Sequence, residues 1–414
     1  MNFLYNISAH ITFFFLRVIA LFSPKMKLFI RGRRASFSKL SELSGDNNVI
    51  WFHAASLGEF EQGRPVIETV KKDYPKHKIL VTFFSPSGYE VQKDYELADV
   101  VCYLPFDTKR NVRRFVKTVQ PKMAILIKYE FWPNLLNELK IKSIPTILIS
   151  GIFRKDQSFF KSYGVWFRKS LKAFDHFFVQ DENSKKLLKN IQFDNASICG
   201  DTRFDRVYEI LQQDNQLDFV EKFKDGQYTV VAGSTWGEDE VLFVNYINSN
   251  AVADEKFIIA PHNMNGKVIR SLKESIHKKT ILFSEKEGKT LEDYQVLILD
   301  TIGLLTKVYS YADVAYVGGG LSSNGVHNIL EPATYGVPVV IGNQYDKFKE
   351  AVDLVALKGC ISIEDQSTFS TIFIQLKSDE VFRRNTGAVN RQYVEENTGA
   401  TSLIMNYINK QLNT

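Results

Sequence analysis

Short apolar runs alternate with longer polar or amphipathic segments along most of this chain. The first series of apolar runs lies at 49–56, 78–85, 99–106, 123–128, 146–150 and 176–180, and the second lies at 228–234, 256–262, 279–284, 296–300, 314–319 and 337–342. Near-continuous apolar runs separated by helical patterns are typical of buried parallel strands joined by crossover helices. The pattern therefore predicts an α/β fold with two doubly wound sheets.

The chain has 414 residues, which is long enough for two domains with separate cores. We predict a first Rossmann-like domain over 41–210 and a second over 211–390, with the linker in the polar stretch 211–226. We expect the C-terminal helix, 391–414, to pack back on the first domain. In sheets of this kind ligands bind beyond the carboxyl ends of the strands, so we expect the site in a cleft between the two domains.

Residues 1–40 carry an apolar run, 11–22, that is interrupted by Arg17. Because a bilayer-spanning helix needs about 20 apolar residues, this run is short for crossing a membrane. On a helical projection one face is apolar and includes Ile7, Ile11, Phe14, Phe15, Val18, Leu21 and Phe22. We expect a helix that lies in the membrane interface, followed by a basic segment that meets anionic head groups. The alternative is a surface helix docked on the protein's own core.

Net charge and cysteine content narrow the class of protein. The formal net charge is only +5, and the cysteines Cys102, Cys199 and Cys360 are few and far apart. This spacing suggests neither a disulfide framework nor a zinc site, and it fits a reducing cytoplasm. We find no P-loop, no dinucleotide fingerprint and no His/Cys/Asp set with metal-ligand spacing. We therefore expect no metal, no cofactor and no nucleic-acid partner.

The segment 317–345 has an order of residues suited to holding a nucleotide. An apolar strand runs into the glycines Gly318, Gly319 and Gly320, which are followed by a predicted helix carrying Asn328 and Glu331. Glycines let the backbone approach a phosphate, and a helix N-terminus offers N–H groups to it. A carboxylate early in that helix can accept hydrogen bonds from ribose hydroxyls. The alternative is an ordinary strand-to-helix turn.

Two carboxylates follow predicted strands of the first domain. Glu59 comes just after the turn Ser56 to Gly58, and Glu130 directly follows the strand 123–128. A carboxylate facing a cleft at a helix start is well placed to take a proton from an incoming hydroxyl, and a second carboxylate nearby can tune the proton affinity of the first. The alternatives are a helix-capping role for Glu59 and a core-capping role for the aromatic residues after Glu130.

Polar residues also follow two strands of the second domain. Ser234 and Thr235 have hydroxyls that can donate to phosphate oxygens, and Pro261 and His262 end the next strand toward the same cleft. A plain capping turn and a structural histidine are the alternatives.

Several longer motifs together resemble a known family. They are HAASLGEFEQGRPVIE (53–68), EFWPN (130–134), GDTRFD (200–205), GST (233–235), DTIG (300–303), ADVAYVGGGL (312–321) and HNILEPATYGVPVVIG (327–342). With them the chain resembles the bacterial 3-deoxy-D-manno-oct-2-ulosonic acid (Kdo) transferases, which are inverting glycosyltransferases of GT-B architecture. The resemblance implies transfer of Kdo from CMP-Kdo to the lipid A precursor lipid IVA in lipopolysaccharide biosynthesis. It also implies a location at the cytoplasmic face of the inner membrane of a Gram-negative cell.

The resemblance also implies roles for individual residues. Glu59 would be the catalytic base, Glu130 a supporting carboxylate, and no metal ion would be needed. Residues expected at the CMP-Kdo site are Arg203, Ser234, Thr235, Pro261, His262, Ile302, Gly303, Gly319, Gly320, Asn324, Asn328 and Glu331. Residues expected on the acceptor and membrane side are Arg31, Arg33, Arg34, Ser56 and Gly58.

The chain departs from the family pattern at several of these motifs. The family usually has Lys at Arg203, His at Trp236, an acid at Leu304 and an Arg-His pair where this chain has only His262. Two other classes of protein stay open. One is a different GT-B nucleotide-sugar enzyme, such as a lipid-linked GlcNAc transferase, a lipid A disaccharide synthase or an epimerase. The other is a non-catalytic, membrane-associated protein that binds CMP without turnover.

Overall fold

The computed structural model describes residues 2–43, 45–46, 48–323 and 325–413, apart from the side chains of residues 2–4 and 25. The chain forms two compact units, one of residues 1–205 with 398–414 and one of residues 206–397. The boundary between the units falls inside a helix, Thr202–Glu209. The predicted linker was placed too late, because 211–226 contains the helix Asp218–Lys224 of the second unit.

Each unit contains one parallel sheet of seven strands. The strands of the first unit are β1 (Val49–Ala54), β2 (Lys78–Phe83), β3 (Val100–Tyr103), β4 (Met123–Ile127), β5 (Thr146–Gly151), β6 (His176–Val179) and β7 (Ala196–Ile198). Those of the second unit are β8 (Tyr228–Thr235), β9 (Glu255–Pro261), β10 (Thr280–Leu282), β11 (Val296–Ile298), β12 (Val314–Val317), β13 (Val339–Gly342) and β14 (Cys360–Ile363). The predicted strands are all present, and only the edge strands β7 and β14 were not predicted.

The strand orders are β3-β2-β1-β4-β5-β6-β7 in the first unit and β10-β11-β9-β8-β12-β13-β14 in the second. In each sheet the order of the strands reverses between two neighbours, β1 and β4 in the first and β8 and β12 in the second. The crevice beyond the carboxyl ends of such a pair is where doubly wound sheets bind ligands.

The strands are connected by helices. They are α1 (Asn2–Ile19), α2 (Pro24–Leu40), α3 (Leu57–Asp73), α4 (Pro86–Gln92), α5 (Lys109–Val119), α6 (Pro133–Ile141), α7 (Val165–Leu171), α8 (Glu182–Asn190), α9 (Thr202–Glu209), α10 (Asp218–Lys224), α11 (Gly237–Ser249), α12 (Gly266–Ser275), α13 (Leu305–Val308), α14 (Leu330–Thr334), α15 (Lys349–Ala356), α16 (Gln366–Ser378), α17 (Glu380–Glu396) and α18 (Ala400–Leu412).

The first sheet is covered on both faces by apolar side chains. Alternate residues of β1 enter two separate core clusters, with Val49 and Trp51 in one and Ile50 and Phe52 in the other. This two-sided burial explains why β1 is apolar at nearly every position instead of alternating. The C-terminal helix α18 belongs to the same unit, and Tyr74 at the end of α3 donates a hydrogen bond to Asn409 of α18 (2.8 Å).

The helix α1 has one docked face and one exposed face. The ring of Phe13 packs against Phe106 with centroids 4.5 Å apart, and the Tyr5 hydroxyl donates to Asp107 (2.7 Å). The opposite face leaves Phe14 63% exposed, and Phe22 just after the helix is 84% exposed. Core docking and an outward apolar face therefore coexist on one segment. Within the described residues, no helix has the length and apolar character required to cross a membrane.

The carboxylate of Asp107 also connects α1 to α6. It accepts hydrogen bonds from the backbone N–H groups of Asn134 (3.0 Å) and Leu135 (2.9 Å), in the first turn of α6. The N-terminal helix and the segment that follows β4 are therefore held by one buried side chain.

Candidate active site

Glu59 lies in the first turn of α3, beyond the carboxyl end of β1. The N-cap residue Ser56 makes no side-chain capping hydrogen bond. Instead, the Glu59 carboxylate reaches back and accepts a hydrogen bond from the N–H of Ala55 (2.6 Å). Glu59 thus has the capping role, the alternative to catalysis. Its second carboxylate oxygen makes no hydrogen bond to the described part of the protein.

Glu130 lies beyond the carboxyl end of β4, the neighbour of β1 in the sheet. The chain turns at Lys128, whose φ of +69° is a left-handed conformation that side chains other than glycine seldom adopt. Glu130 is buried, and its Oε2 accepts a hydrogen bond from Nε1 of Trp132 (2.6 Å). The same oxygen lies 2.7 Å from Nε2 of His53. A strained turn that places a buried carboxylate at a switch point is a feature of functional sites.

His53 was not predicted as a site residue. It belongs to β1, is fully buried, and pairs in register with Thr82 of β2. Its Nδ1 lies 3.0 Å from the Thr82 carbonyl oxygen and 2.9 Å from the Thr82 hydroxyl. The sequence does hold a signal for His53, because it is a titratable residue within an otherwise apolar strand. Such a residue requires a hydrogen-bonding partner when it is buried.

Burial and four neighbouring residues affect the protonation of Glu59. Burial raises the pKa of Glu59 above its ordinary value, and the nearby charge of Glu130 raises it further. The hydrogen bond from Ala55 and the charges of His53 and Lys128 act in the opposite direction. A carboxylate with a raised pKa binds a proton more tightly, which is what a general base requires to accept one during reaction.

The residues expected on the acceptor side have different environments. Arg31 and Arg34 are exposed, Ser56 is partly buried, and Gly58 is exposed with open space around its Cα. The prediction that Arg33 meets head groups or substrate phosphates is wrong, because Arg33 is only 7% exposed. Its guanidinium lies over the ring of Phe29 (3.6 Å), and burial lowers the pKa of Arg33 to about 9.

Arg33 also donates hydrogen bonds to two backbone carbonyls, those of Phe29 (3.0 Å) and Phe84 (2.6 Å). The helical spacing explains the contrast with its neighbours. Adjacent residues on a helix point about 100° apart, so Arg33 faces inward while Arg34 faces solvent.

Arg203, predicted to contact the donor, belongs to the first unit. Its Nε donates to Asp201 Oδ2 (2.9 Å), and its backbone N–H donates to Asp201 Oδ1 (2.9 Å). The buried Asp201 also accepts a hydrogen bond from Gln62 of α3 (2.9 Å). Asp201 therefore fixes the start of α9 and holds Arg203, whose contact with a phosphate stays a prediction.

The glycines of the second unit have a packing role. A Cβ on Gly318 would lie 2.4 Å from the carbonyl oxygen of Ser234, and Gly319 has a φ of +94°. The N–H of Gly318 donates to Gly233 (2.9 Å), and that of Gly319 donates to Asp239 (3.0 Å). The expectation that the backbone here contacts a phosphate is therefore wrong for these two N–H groups, because both already have partners within the protein.

A Cβ on Gly320 would lie 2.9 Å from the backbone nitrogen of Gly342, so this glycine permits β12 and β13 to approach at their ends. The helix after the glycines begins only at Leu330. The expectation that the helix carries Asn328 is therefore wrong, while Glu331 is its second residue. Asn328 precedes the helix, and its side-chain oxygen accepts from the N–H of Leu330, the first helical residue (3.2 Å).

Both carboxylate oxygens of Glu331 have partners. Oε1 accepts from the side-chain amide of Asn328 (3.0 Å), and Oε2 accepts from the Thr306 hydroxyl (2.7 Å). Each oxygen can accept more than one hydrogen bond, so this support orients Glu331 and leaves it able to bind a ligand hydroxyl. Nearby along the chain, Ile302 is 83% exposed and Gly303 has a φ of +94°. Asn324 lies outside the described residues.

Ser234 and Thr235 end β8. Ser234 has a φ of +53° and stands where the pairing of β8 with β9 becomes irregular. The Thr235 hydroxyl donates to Glu240 of α11 (3.3 Å), and the N–H of Trp236 donates to Asp239 (2.8 Å). The capping turn, the alternative to phosphate binding, is therefore present. Pro261, at the end of β9, is buried.

An aromatic stack lies at the ends of β8, β9 and β12. The Trp236 and His262 rings have centroids 4.5 Å apart, and those of His262 and His327 are 4.6 Å apart. The Trp236 Nε1–H donates to Nε2 of His327 (2.9 Å), so this nitrogen carries no proton. Burial, with a smaller effect of His262, lowers the pKa of His327. His327 was missing from the predicted site, although its motif was recognised.

Comparison with known proteins links this geometry to a family. Residues 30–206 match the family described as 3-deoxy-D-manno-octulosonic-acid transferase. A protein of that name from Haemophilus influenzae is 27% identical over 386 residues, covering 88% of this chain and 87% of its own length. Another from Aquifex aeolicus is 27% identical over 348 residues, covering 83% of this chain and 90% of its own length.

Solved structures match the fold. A UDP-GlcNAc 2-epimerase from Neisseria meningitidis has a TM-score of 0.60 at 14% identity, covering 87% of this chain and 100% of that one. A glycosyltransferase from Rickettsia africae has a TM-score of 0.56 at 11% identity, covering 89% of this chain and 99% of that one. These likenesses confirm the predicted GT-B type of fold with two doubly wound units, and at this level of identity they concern the fold alone.

Proposed function

Since the chain belongs to the Kdo transferase family of glycosyltransferases, we propose that it moves Kdo from CMP-Kdo to a sugar hydroxyl of lipid IVA in lipopolysaccharide biosynthesis. The observation that carries the proposal is the cluster of Glu59, Glu130 and His53. It lies at the switch point of the first sheet and within the residues that match the family.

In this proposal Glu59 is the general base. Its carboxylate takes the proton of the acceptor hydroxyl while the hydroxyl oxygen bonds to the anomeric carbon of Kdo. The bond from that carbon to the CMP phosphate breaks, and CMP leaves with the bonding electrons. Burial and, to a smaller extent, the charge of Glu130 raise the pKa of Glu59, which favours this proton transfer. Removing such a base costs about 10²–10⁴-fold in rate.

The CMP portion of the donor is assigned to the second unit. The supporting features are the oriented carboxylate of Glu331 for ribose hydroxyls and the turn at Ser234 and Thr235 for phosphate. His262, which is exposed, adds a donor at the end of β9. We expect hydrogen-bond donors to stabilise the leaving phosphate, so that transfer proceeds without a divalent ion.

Membrane association follows from the acceptor's acyl chains. The exposed apolar face of α1 is suited to the interface of a bilayer, and the exposed Arg31 and Arg34 are suited to anionic head groups. We assign the protein to the cytoplasmic face of the inner membrane.

The test is a transfer assay with the purified chain, CMP-Kdo generated in situ and lipid IVA in detergent with EDTA. Products are read by mass. We expect added Kdo mass with the parent and with Glu68→Ala, which removes an ion-paired carboxylate elsewhere on α3. We expect loss of that product with Glu59→Ala. A folded parent that binds CMP but forms no product would contradict Kdo transfer and favour another nucleotide sugar or a non-catalytic role.

A further inference from the structure

The imidazole of His53 is held on both sides within the first unit. Its Nδ1 lies 3.0 Å from the carbonyl oxygen of Thr82, and its Nε2 lies 2.7 Å from Oε2 of Glu130. His53 and Thr82 are both fully buried, and Glu130 is 5% exposed. Neighbouring strands place these groups, since β1 lies between β2, which carries Thr82, and β4, which precedes Glu130.

The partners fix where the protons lie. A backbone carbonyl only accepts hydrogen bonds, so the Nδ1–H of His53 donates to Thr82. The Thr82 hydroxyl is itself oriented, because it accepts from Nε1 of Trp51 (2.8 Å) and its own proton is directed to the Phe52 carbonyl (3.4 Å). With Nδ1 committed, one proton lies between Nε2 of His53 and Oε2 of Glu130, and the two residues share it.

We propose that His53 is a positioning residue for the transfer reaction, which holds the Glu130 carboxylate at the point from which its charge acts on Glu59. The inference rests on the proposed function, in which Glu59 is the base. His53 acts through Glu130 and is not assigned a contact with substrate.

The energetic reason is the burial of Glu130. A buried carboxylate that loses one of its two hydrogen-bonding partners is left with only Trp132, and an uncompensated buried charge is strongly disfavoured. Without His53, the Glu130 side chain therefore turns toward other hydrogen-bond donors. That movement takes its charge away from its place beside Glu59.

The direction of the effect on Glu59 follows from the groups that face it. These are Glu130, His53 and Lys128 on the first unit's strand ends, together with Tyr129, whose own pKa is influenced by Glu59. Glu130 raises the pKa of Glu59 more than His53 lowers it. Loss of the pair therefore lowers the pKa of Glu59, so that the acid limb of the pH–rate profile moves to lower pH.

The experiment compares four versions of the full chain in the Kdo transfer assay. They are the parent, His53→Leu, His53→Gln and the control His176→Leu, which removes an imidazole bonded to Ser197 elsewhere in the same unit. The measured quantities are kcat, KM for CMP-Kdo, the pH profile of kcat and the melting temperature.

We expect His53→Leu to lower kcat about 100-fold, the cost of misplacing a supporting group, and to move the acid limb to lower pH. We expect KM for CMP-Kdo to stay near the parent value, because the donor is assigned to the second unit. Glutamine at position 53 keeps an N–H for Glu130, so His53→Gln should recover part of kcat. His176→Leu should keep the parent kcat and pH profile.

A folded His53→Leu protein with the parent's kcat and pH profile would overturn the inference. Equal losses in both His53 variants, with an unmoved pH profile, would assign His53 to the core alone and overturn it as well. A parent without Kdo transfer would instead defeat the proposed function.

An NMR measurement distinguishes failure of this inference from failure of the proposed function. It also tests the inference if His53→Leu does not fold. In protein labelled with ¹⁵N at histidine, Glu130→Gln should move the Nε2 resonance of His53 and leave its Nδ1 resonance in place. Unchanged resonances at both nitrogens would show that the pair does not share a proton.

Discussion

Asp205 and Thr401 are joined by two hydrogen bonds, in which the backbone N–H and the hydroxyl of Thr401 both donate to Asp205 Oδ2 at 2.7 Å. The other oxygen of Asp205 accepts from the N–H of Gly399. A side chain of α9 thereby caps α18, which is separated from it in sequence by the whole second unit.

We expect Asp205→Ala to destabilise the first unit by about 1–3 kcal/mol, because it removes a helix cap and leaves N–H groups without their acceptor. Urea unfolding, followed by tryptophan fluorescence to which Trp51 in the core of that unit contributes, measures the change. Asp254→Ala, which alters an exposed side chain of the second unit paired with Lys377, is the control and should leave this transition within about 0.5 kcal/mol. Equal midpoints for Asp205→Ala and the parent would contradict the capping role.

The charged carboxylate of Glu59 is expected to lower the stability of the folded protein, although the proposed reaction requires it. Its pKa is raised in the folded state, so the folded protein binds its proton more tightly than the unfolded chain does. Stability is therefore lost as pH rises from the unfolded pKa through the folded one. Glu59→Gln keeps an acceptor for Ala55 and removes the charge. It should melt at a higher temperature than the parent at pH 8 and at the same temperature near pH 3, while losing transfer activity. A parent that melts higher at pH 8 would contradict this assignment.

Arg33 is expected to stabilise the fold and to have no direct part in binding lipid. Arg33→Ala removes a guanidinium that packs among Phe29, Phe84 and Phe106, so we expect a loss of about 2 kcal/mol or more in the free energy of unfolding. Arg34→Ala is the matched control and should change it by less than about 0.5 kcal/mol. Similar free energies of unfolding for Arg33→Ala and Arg34→Ala would show that the buried contacts of Arg33 contribute little to stability.

The exposed arginines Arg31 and Arg34 should strengthen binding of the protein to anionic membranes. Arg34→Glu should weaken binding to vesicles that contain anionic lipid, by about 1 kcal/mol for the lost positive charge and more for the added negative one. Binding to purely zwitterionic vesicles should be unchanged. Flotation with the two vesicle types measures both values, and equal losses on both would exclude an electrostatic role.

The two faces of α1 should separate membrane binding from folding. Phe14→Ser changes the exposed face and should weaken vesicle binding by on the order of 1 kcal/mol without altering the melting temperature. Phe13→Ser, one position earlier, removes the ring that packs on Phe106 and should lower the melting temperature. Vesicle binding that survives Phe14→Ser together with Phe22→Ser would contradict the proposed interface.

Most of the fold was predictable because the central strands are apolar on both faces. Strands such as β1 and β4 are fully buried and stand out as continuous apolar runs. The edge strands β7 and β14 have three and four residues and are partly exposed, so they lack that signal. The unit boundary was misplaced because it falls inside α9, where composition does not change.

The site was predictable in part. Strand ends placed Glu59 and Glu130 beyond the carboxyl ends of the neighbouring strands β1 and β4, since that inference needs only the order of elements. Their roles in catalysis stay predictions. His53 and Arg33 were missed or misassigned, because the partner of a buried charge comes from a distant strand or ring and sequence spacing does not reveal it. The glycines were correctly singled out as close-approach positions, but at Gly318, Gly319 and Gly320 the approaching groups are other parts of the protein.

Asp107 accepts from Tyr5 of α1 and from the first turn of α6, a few residues after Glu130. In the membrane-bound state that we propose, this shared acceptor fixes the height of the carboxylate pair above the lipid surface. The acceptor sugar of the proposed substrate, attached to acyl chains in the leaflet, would then lie at its own fixed height. Enzyme and acceptor then need only lateral diffusion to meet, which reduces a search in three dimensions to one in two.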